Sequence, residues 1–265
     1  MKINQKISIS IIVIIFLLSL ADNGIFTIGT LRVFAQNTDF TTKTALHVVL
    51  VELFVREGCL SCPTAEFCLE DLAWEYGTSK FILVQEHLWG DGYDTLETNA
   101  RYNWYVGDGK KGTPDVFIDG LTKRLQGLSC DCVEGNYECY KDAIDEELTR
   151  LSLLEISANK NIVESDYIIE GTVKNISNTP LKDLAICGMV GKEGEEPGLY
   201  NYIQDIFPFQ NMPTLLPGAA FSFKFIPEIS LAPESEIDGE EEIFHLVVFV
   251  QNTITKEILQ ALYIE

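Results

Sequence analysis

Positive charge is what this chain has least of. Lys and Arg together number 19 against 40 Asp and Glu, a formal net charge of −21, and histidine occurs three times. Phosphate neutralisation needs a basic surface, so direct nucleic-acid binding is excluded as an expectation. No apolar run reaches the roughly 20 residues that a membrane-spanning helix needs. There is no internal repeat. Seven cysteines in 265 residues are too few for a disulfide scaffold of this length. The 46% apolar content is ordinary for a globular chain and argues against disorder.

What is present begins with a short basic start, Lys2 and Lys6, followed by a nearly unbroken apolar run from Ile7 to Leu20. That length suits the apolar region of a secretory signal. Cleavage fits after Ala21 or Ala35, and an uncleaved membrane anchor is the alternative for residues 1–35. Loss of residues 1–35 removes Lys2, Lys6, Arg32 and Asp22, a net +2, and takes the charge from −21 to −23. Either way the rest of the chain is expected outside the cytoplasm: secreted, periplasmic or in the envelope. Thiols pair in such compartments.

After a linker at 36–43, two patterns follow. Residues 44–151 alternate between strand and helix. Leu46 to Val55 and Phe81 to Val84 read as buried strands. Pro63 to Tyr76, Thr95 to Tyr105 and Tyr137 to Leu151 have helical spacing. Val116 to Asp119 reads as a strand entering a turn at Gly120, with residues 122–127 completing a hairpin. From residue 152 to 265 the period changes to 2. Tyr167, Ile169 and Val173, then Leu184, Ile186 and Val190, then Phe221, Phe223 and Phe225 mark strands. Phe244 to Val250 and Ile258 to Ile264 form a hairpin around Asn252 to Lys256. Short strands with turn signals and no helical stretch predict a β-sandwich. The acidic run from Glu234 to Glu242 reads as a solvated loop.

The chemistry concentrates at Cys59-Leu-Ser-Cys62-Pro63, which follows a buried strand and opens a helix. Free N–H groups and the helix dipole lower a thiol pKa there. Cys59 is then the attacking thiolate and Cys62 the resolving one. Pro63 costs little in the first helical turn. A second signal is Gly112-Thr-Pro114 ahead of the Asp115 strand. Proline at the entry of a buried strand needs a reason, and a cis peptide that leaves the Thr113 backbone free for an extended substrate is one.

In this order these features resemble the thioredoxin superfamily. The segment Val51-Glu-Leu-Phe54, then Gly58-Cys-Leu-Ser-Cys-Pro63, is similar to secreted thioredoxin-like proteins that share it. The layout also looks like outer-membrane-related thioredoxin-like proteins with a C-terminal β-domain. The resemblance implies an α/β thioredoxin-like domain at 44–151 followed by an immunoglobulin-like sandwich at 152–265. It implies thiol–disulfide exchange at Cys59 and Cys62, with Pro114 as the cis-proline. The usual Trp-Cys-Gly-Pro-Cys is replaced here by Gly-Cys-Leu-Ser-Cys, which leaves reductant, oxidant and isomerase open. No cofactor and no metal are implied. The expected partners are protein thiols or disulfides.

Glu52, inside the first strand, is a candidate base for Cys62. It stands seven residues before Cys59, one more than the acid of thioredoxins, and pairing with Arg56 or Lys80 is its plainer role. His87, Trp89 and Asp91 follow the second strand and can face the cysteines, with Arg101 on the next helix; an ordinary polar loop is the plainer account. His47 and His245 read as structural. Cys68, Cys130, Cys132 and Cys139 are disulfide candidates with three possible pairings, or a relay to Cys59. Cys187 reads as a buried free thiol, and Asn175-Ile-Ser177 as a weak glycosylation match. Three functional readings compete: an exported oxidoreductase, a non-catalytic envelope binding protein with a structural CxxC disulfide, and a zinc protein using both cysteine clusters.

Overall fold

The structure, a computed structural model, describes residues 45–127, 137–163, 166–194, 200–227 and 244–264. The expected signal or anchor, the linker and the acidic run lie outside the described residues. The first half contributes β1 (Ala45–Leu46), β2 (Val49–Val55), α1 (Cys62–Tyr76), β3 (Phe81–His87), α2 (Leu96–Val106), β4 (Asp115–Ile118), β5 (Lys123–Gln126) and α3 (Glu138–Leu148). The second contributes β6 (Leu151–Ser152), β7 (Leu154–Val163), β8 (Asp166–Asn175), β9 (Leu184–Lys192), β10 (Tyr202–Ile206), β11 (Gln210–Asn211), β12 (Ala220–Phe225), β13 (Phe244–Asn252) and β14 (Ile258–Ile264). The chain is mostly β, with several sheets and three described helices.

Local chemistry sets the boundaries. α1 starts on Cys62 with Pro63 in its first turn and stops at Gly77. α2 is closed by a capping box in which Thr95 and Thr98 satisfy each other's backbone N–H. α3 ends at Leu148, three residues before the expected end, because Leu151 and Ser152 pair with β1 instead. β3 extends to His87 because it pairs in parallel with β2 along its whole length.

β2 and β3 lie inside a nine-stranded sheet of order β14-β13-β9-β10-β3-β2-β4-β5, with β11 added against β9. β7, β8 and β12 form a second sheet. The two patterns read along the sequence therefore meet in one sheet: Tyr202 of β10 pairs with Gln85 of β3, and Gln85 N donates to Asn201 O at 3.2 Å. Residues 45–264 belong to one compact unit. An apolar layer joins both halves, with Leu50, Ile82 and Val84 packed against Ala185, Cys187, Met189, Val247 and Phe249. β3 would otherwise present an unpaired edge beside β2.

Strand alternation divides the core. Val49, Val51, Leu53 and Val55 of β2 pack with Phe81 and Leu83 of β3 under α1 and α3. Leu50 and Phe54 point the other way, Phe54 toward Tyr102 and Tyr105 of α2. A third cluster fills the space between the large sheet and the three-stranded one. β2 and β3, buried on both faces, need no polar side, which is why both read as continuous apolar runs.

Candidate functional site

β2 ends at Val55 and the chain turns into α1 through Arg56 to Ser61. Gly58 takes φ 73°, a conformation that L side chains rarely adopt. Cys59 N donates to Arg56 O at 3.3 Å and closes the turn. Cys59 and Cys62 form a disulfide with Cα atoms 5.4 Å apart. Cys62 is buried in the α1 core, Cys59 is half-buried, and Leu60 between them is 99% exposed. One sulfur is thus packed inside and the other is open to solvent.

The start of α1 is electrostatically bare. Its N-cap, Ser61, makes no side-chain cap hydrogen bond, and no acidic residue stands in the first turn. The first N–H groups and the positive end of the helix dipole therefore act on the cysteines, favouring thiolate when the disulfide is reduced.

The loop after β3 buttresses this turn. Glu57 N donates to Asp91 Oδ2 at 3.0 Å, and the same oxygen lies 2.7 Å from His87 Nδ1. Arg56 sits 5.7 Å over the ring of Trp89, which is 43% exposed. The structure therefore brings His87, Trp89 and Asp91 to the CxxC turn.

Pro114 enters from the other neighbour of β2. The Thr113–Pro114 peptide is cis, and β4 begins at Asp115, opposite Phe54. The antiparallel register puts this peptide at the end of the sheet where β2 runs into the cysteines. Gly127 N donates to Pro114 O at 2.7 Å. Tyr102 OH bonds Asp115 Oδ2 at 2.8 Å and accepts from Gly112 N at 2.9 Å, so α2 anchors the segment from behind.

Glu52 lies elsewhere. It alternates with Val51 and Leu53, which share the core of Cys62, so its side chain points to the opposite face. There it accepts from Arg101 Nε and from Tyr105 OH (2.6 Å), not from Arg56 or Lys80. The expected base for Cys62 is thus not brought to that thiol. The reason is strand alternation: Val51 and Leu53 face the core that holds Cys62, so Glu52 between them faces away. Arg101 also donates to Tyr105 OH (2.8 Å) and Gln251 Oε1 (3.3 Å). Beside this group Glu86 is fully buried, without a hydrogen-bond partner on either carboxyl oxygen, and Arg101 Nε stands 3.8 Å from its Oε1. Burial first, and the charge of Glu52 second, push its pKa well above the ordinary carboxylate value, while the charge of Arg101 opposes the shift.

On the face of Cys62 the nearest acid along α1 is Glu66, one helical turn further on. Burial, and then the charge of Glu70, push its pKa up to about 7. Sequence reasoning missed it. Its signal is the i, i+4 spacing from Cys62, together with the tilt of helical side chains toward the N-terminus.

The other cysteines divide. Cys68 and Cys139 are both disulfide-bonded. Cys130 and Cys132 lie outside the described residues. Cys187 is a free, buried thiol whose pKa burial pushes up to about 12, too high for thiolate chemistry. His47, Asp119 and Glu147 place three buried ligand-type atoms within 4.8 Å of one another. All three are already engaged: His47 Nε2 lies 2.6 Å from Asp119, Leu50 N donates to Asp119, and Arg150 pairs with Glu147 at 2.5 Å. His245 lies 2.9 Å from Glu193, and Asn175 is buried with its amide on Thr179 O and Leu215 O. Among the described residues no helix is long and apolar enough to cross a membrane.

No protein-family model and no curated protein matches the chain. Among solved structures it is similar to HBP35 of Porphyromonas gingivalis, with a TM-score of 0.60 and 17% identity over 83% of this chain and 76% of that one. At that identity the likeness is one of fold. A domain of the outer membrane lipoprotein Omp28 from the same organism gives 0.27 and 14% identity over 43% of this chain and 88% of that one. Bacteroides uniformis β-glucuronidase gives 0.29 and 20% identity over 42% and 12%.

Proposed function

We propose that this chain is an exported thiol–disulfide oxidoreductase. In this reading residues 44–151 are a thioredoxin-like unit, residues 152–265 an immunoglobulin-like β-sandwich fused to it, and the N-terminal 35 residues direct export to the envelope or beyond. The observation that carries it is the Cys59–Cys62 disulfide at an uncapped helix start, with one sulfur half-exposed and the other buried. The cis peptide before Pro114, at the same end of the sheet, adds support.

The chemistry follows from that asymmetry. In the reduced protein the Cys59 thiolate attacks one sulfur of a substrate disulfide. That S–S bond breaks, a Cys59–substrate disulfide forms, and the departing thiolate takes up a proton. Cys62 then loses its proton and attacks Cys59 Sγ, releasing the second substrate thiol and restoring the Cys59–Cys62 disulfide. Two electrons and two protons pass to the substrate, and the reverse sequence oxidises it. In this reading Glu66, four residues after Cys62 on α1, takes up the Cys62 proton, in the role the sequence pattern assigned to Glu52. An extended substrate segment pairs with the Thr113 backbone beside Pro114.

The test is turnover of a small disulfide protein such as insulin, and of its reduced form, by the wild-type chain and by Cys59→Ser. Wild type is expected to be active in one direction and Cys59→Ser inactive in both. Equal inactivity across a range of redox buffers returns the pair to the structural-disulfide reading. A Cys62→Ser variant is expected to retain substrate as a mixed disulfide on Cys59, identified by mass spectrometry.

A further inference from the structure

A second site lies on the face of the large sheet turned away from Cys62. There α2, β9, β10 and β13 enclose a cavity of about 510 Å³. Small-molecule sites have this size and are mostly apolar, with a few polar groups that select the ligand. Trp104, Phe207 and Phe209 line it, and Glu97 and Asp205 are among its lining residues. Phe209 is 61% exposed, a large apolar side chain left uncovered at the cavity.

The charges choose between ligand classes. Among the described residues Arg101 is the one basic residue lining the cavity, and its guanidinium is already held by Glu52, Tyr105 and Gln251. An anion would therefore face the exposed carboxylate of Glu97 while the one basic neighbour is already engaged. Cations are already accepted on this face. Arg101 stacks over Tyr105 and Phe249 at 4.9 Å from each ring, and Lys256 stands 4.9 Å over Trp104. Ring faces and the exposed carboxylate of Glu97 together favour positive charge on an apolar body.

We propose that this cavity binds a small organic cation, an ammonium or pyridinium group carried on an aromatic or aliphatic body. The site does not rest on the thiol–disulfide reading. Cys187 and Ala185 on its floor share their side of the sheet with Leu50, Ile82 and Val84, whereas Cys62 packs with Val51, Leu53 and Val55 on the other.

The test is fluorescence titration of the full chain with a cationic styrylpyridinium dye, against an anionic naphthalenesulfonate of similar size, at physiological ionic strength. The cationic dye is expected to bind saturably, one per chain, and at least about tenfold more tightly than the anion. Glu97→Gln is expected to weaken it about two- to fivefold, as for loss of an exposed charge pair. Ala100→Trp places an indole in the cavity mouth and is expected to weaken it at least about tenfold. Both positions are exposed on α2, so unchanged unfolding midpoints show that the fold is intact. Equal binding of the anion, absence of saturable binding, or binding unmoved by Ala100→Trp overturns the proposal. The last outcome is also the signature of unspecific attraction to a chain of net charge −21.

Discussion

At the scale of single residues, two carboxylates separate structure from chemistry. Glu52 is fully buried and bound to Arg101, and the pair ties β2 to α2. Arg101→Met leaves that carboxylate buried without its cation. Such a break costs about 3–5 kcal/mol, which denaturant unfolding near neutral pH measures. Thiol exchange is expected to be unchanged, because this pair faces away from Cys62. Glu66 behaves oppositely. Its folded pKa of about 7 lies above the ordinary value of 4.5. The folded state therefore binds the proton more tightly than the unfolded state. The resulting stability is fully present below pH 4.5 and is lost as pH rises through 7. Glu66→Gln is expected to flatten that slope in unfolding midpoints measured from pH 4.5 to 7. It is also expected to remove a step near pH 7 from the rate of substrate release from the mixed disulfide. A purely structural Glu66 would leave the rate profile unmoved.

At the scale of elements, the turns that hold β2 and its neighbours admit little change. Gly120 follows β4 at φ 67°, and a Cβ there would stand 2.0 Å from Lys256 O in the β13–β14 turn. Gly120→Ala is therefore expected to cost more than about 2 kcal/mol, from backbone strain together with overpacking, read as a lower unfolding midpoint. Helix α1 shows how far local signals reach. Pro63 and the apolar spacing locate it to within one residue, because both act within a single turn. The end of α3 does not follow from spacing, because Leu151 and Ser152 are claimed by a partner more than a hundred residues earlier. Period 2 was equally informative in the second half, where β9, β12, β13 and β14 occupy the segments that alternate.

At the scale of the whole molecule, the two patterns share a sheet and an apolar layer. A fragment ending at residue 152 would expose the β3 edge together with Leu50, Ile82 and Val84. That fragment is expected to aggregate or to unfold without a cooperative transition, measured by circular dichroism and size-exclusion chromatography. Cooperative unfolding of the fragment, at a midpoint equal to that of the full chain, would instead establish 44–151 as an independent unit.

The sequence by itself determined the strand-to-helix position of Cys59 and Cys62, the proline at 114, the helices and most strands of the described residues. These depend on residues close along the chain: a turn, a dipole, a period. It also carried the alternation of Glu52 with Val51 and Leu53, which puts Glu52 on the other face of the strand from those two residues. Only the tertiary structure decided that Arg101 and Tyr105 hold Glu52, that burial raises the pKa of Glu66, that β10 joins β3, and that a cavity opens between α2 and β9. Each of these rests on contacts between distant segments or on burial. Neither leaves a local trace, because desolvation and strand pairing are set by whatever the fold brings alongside.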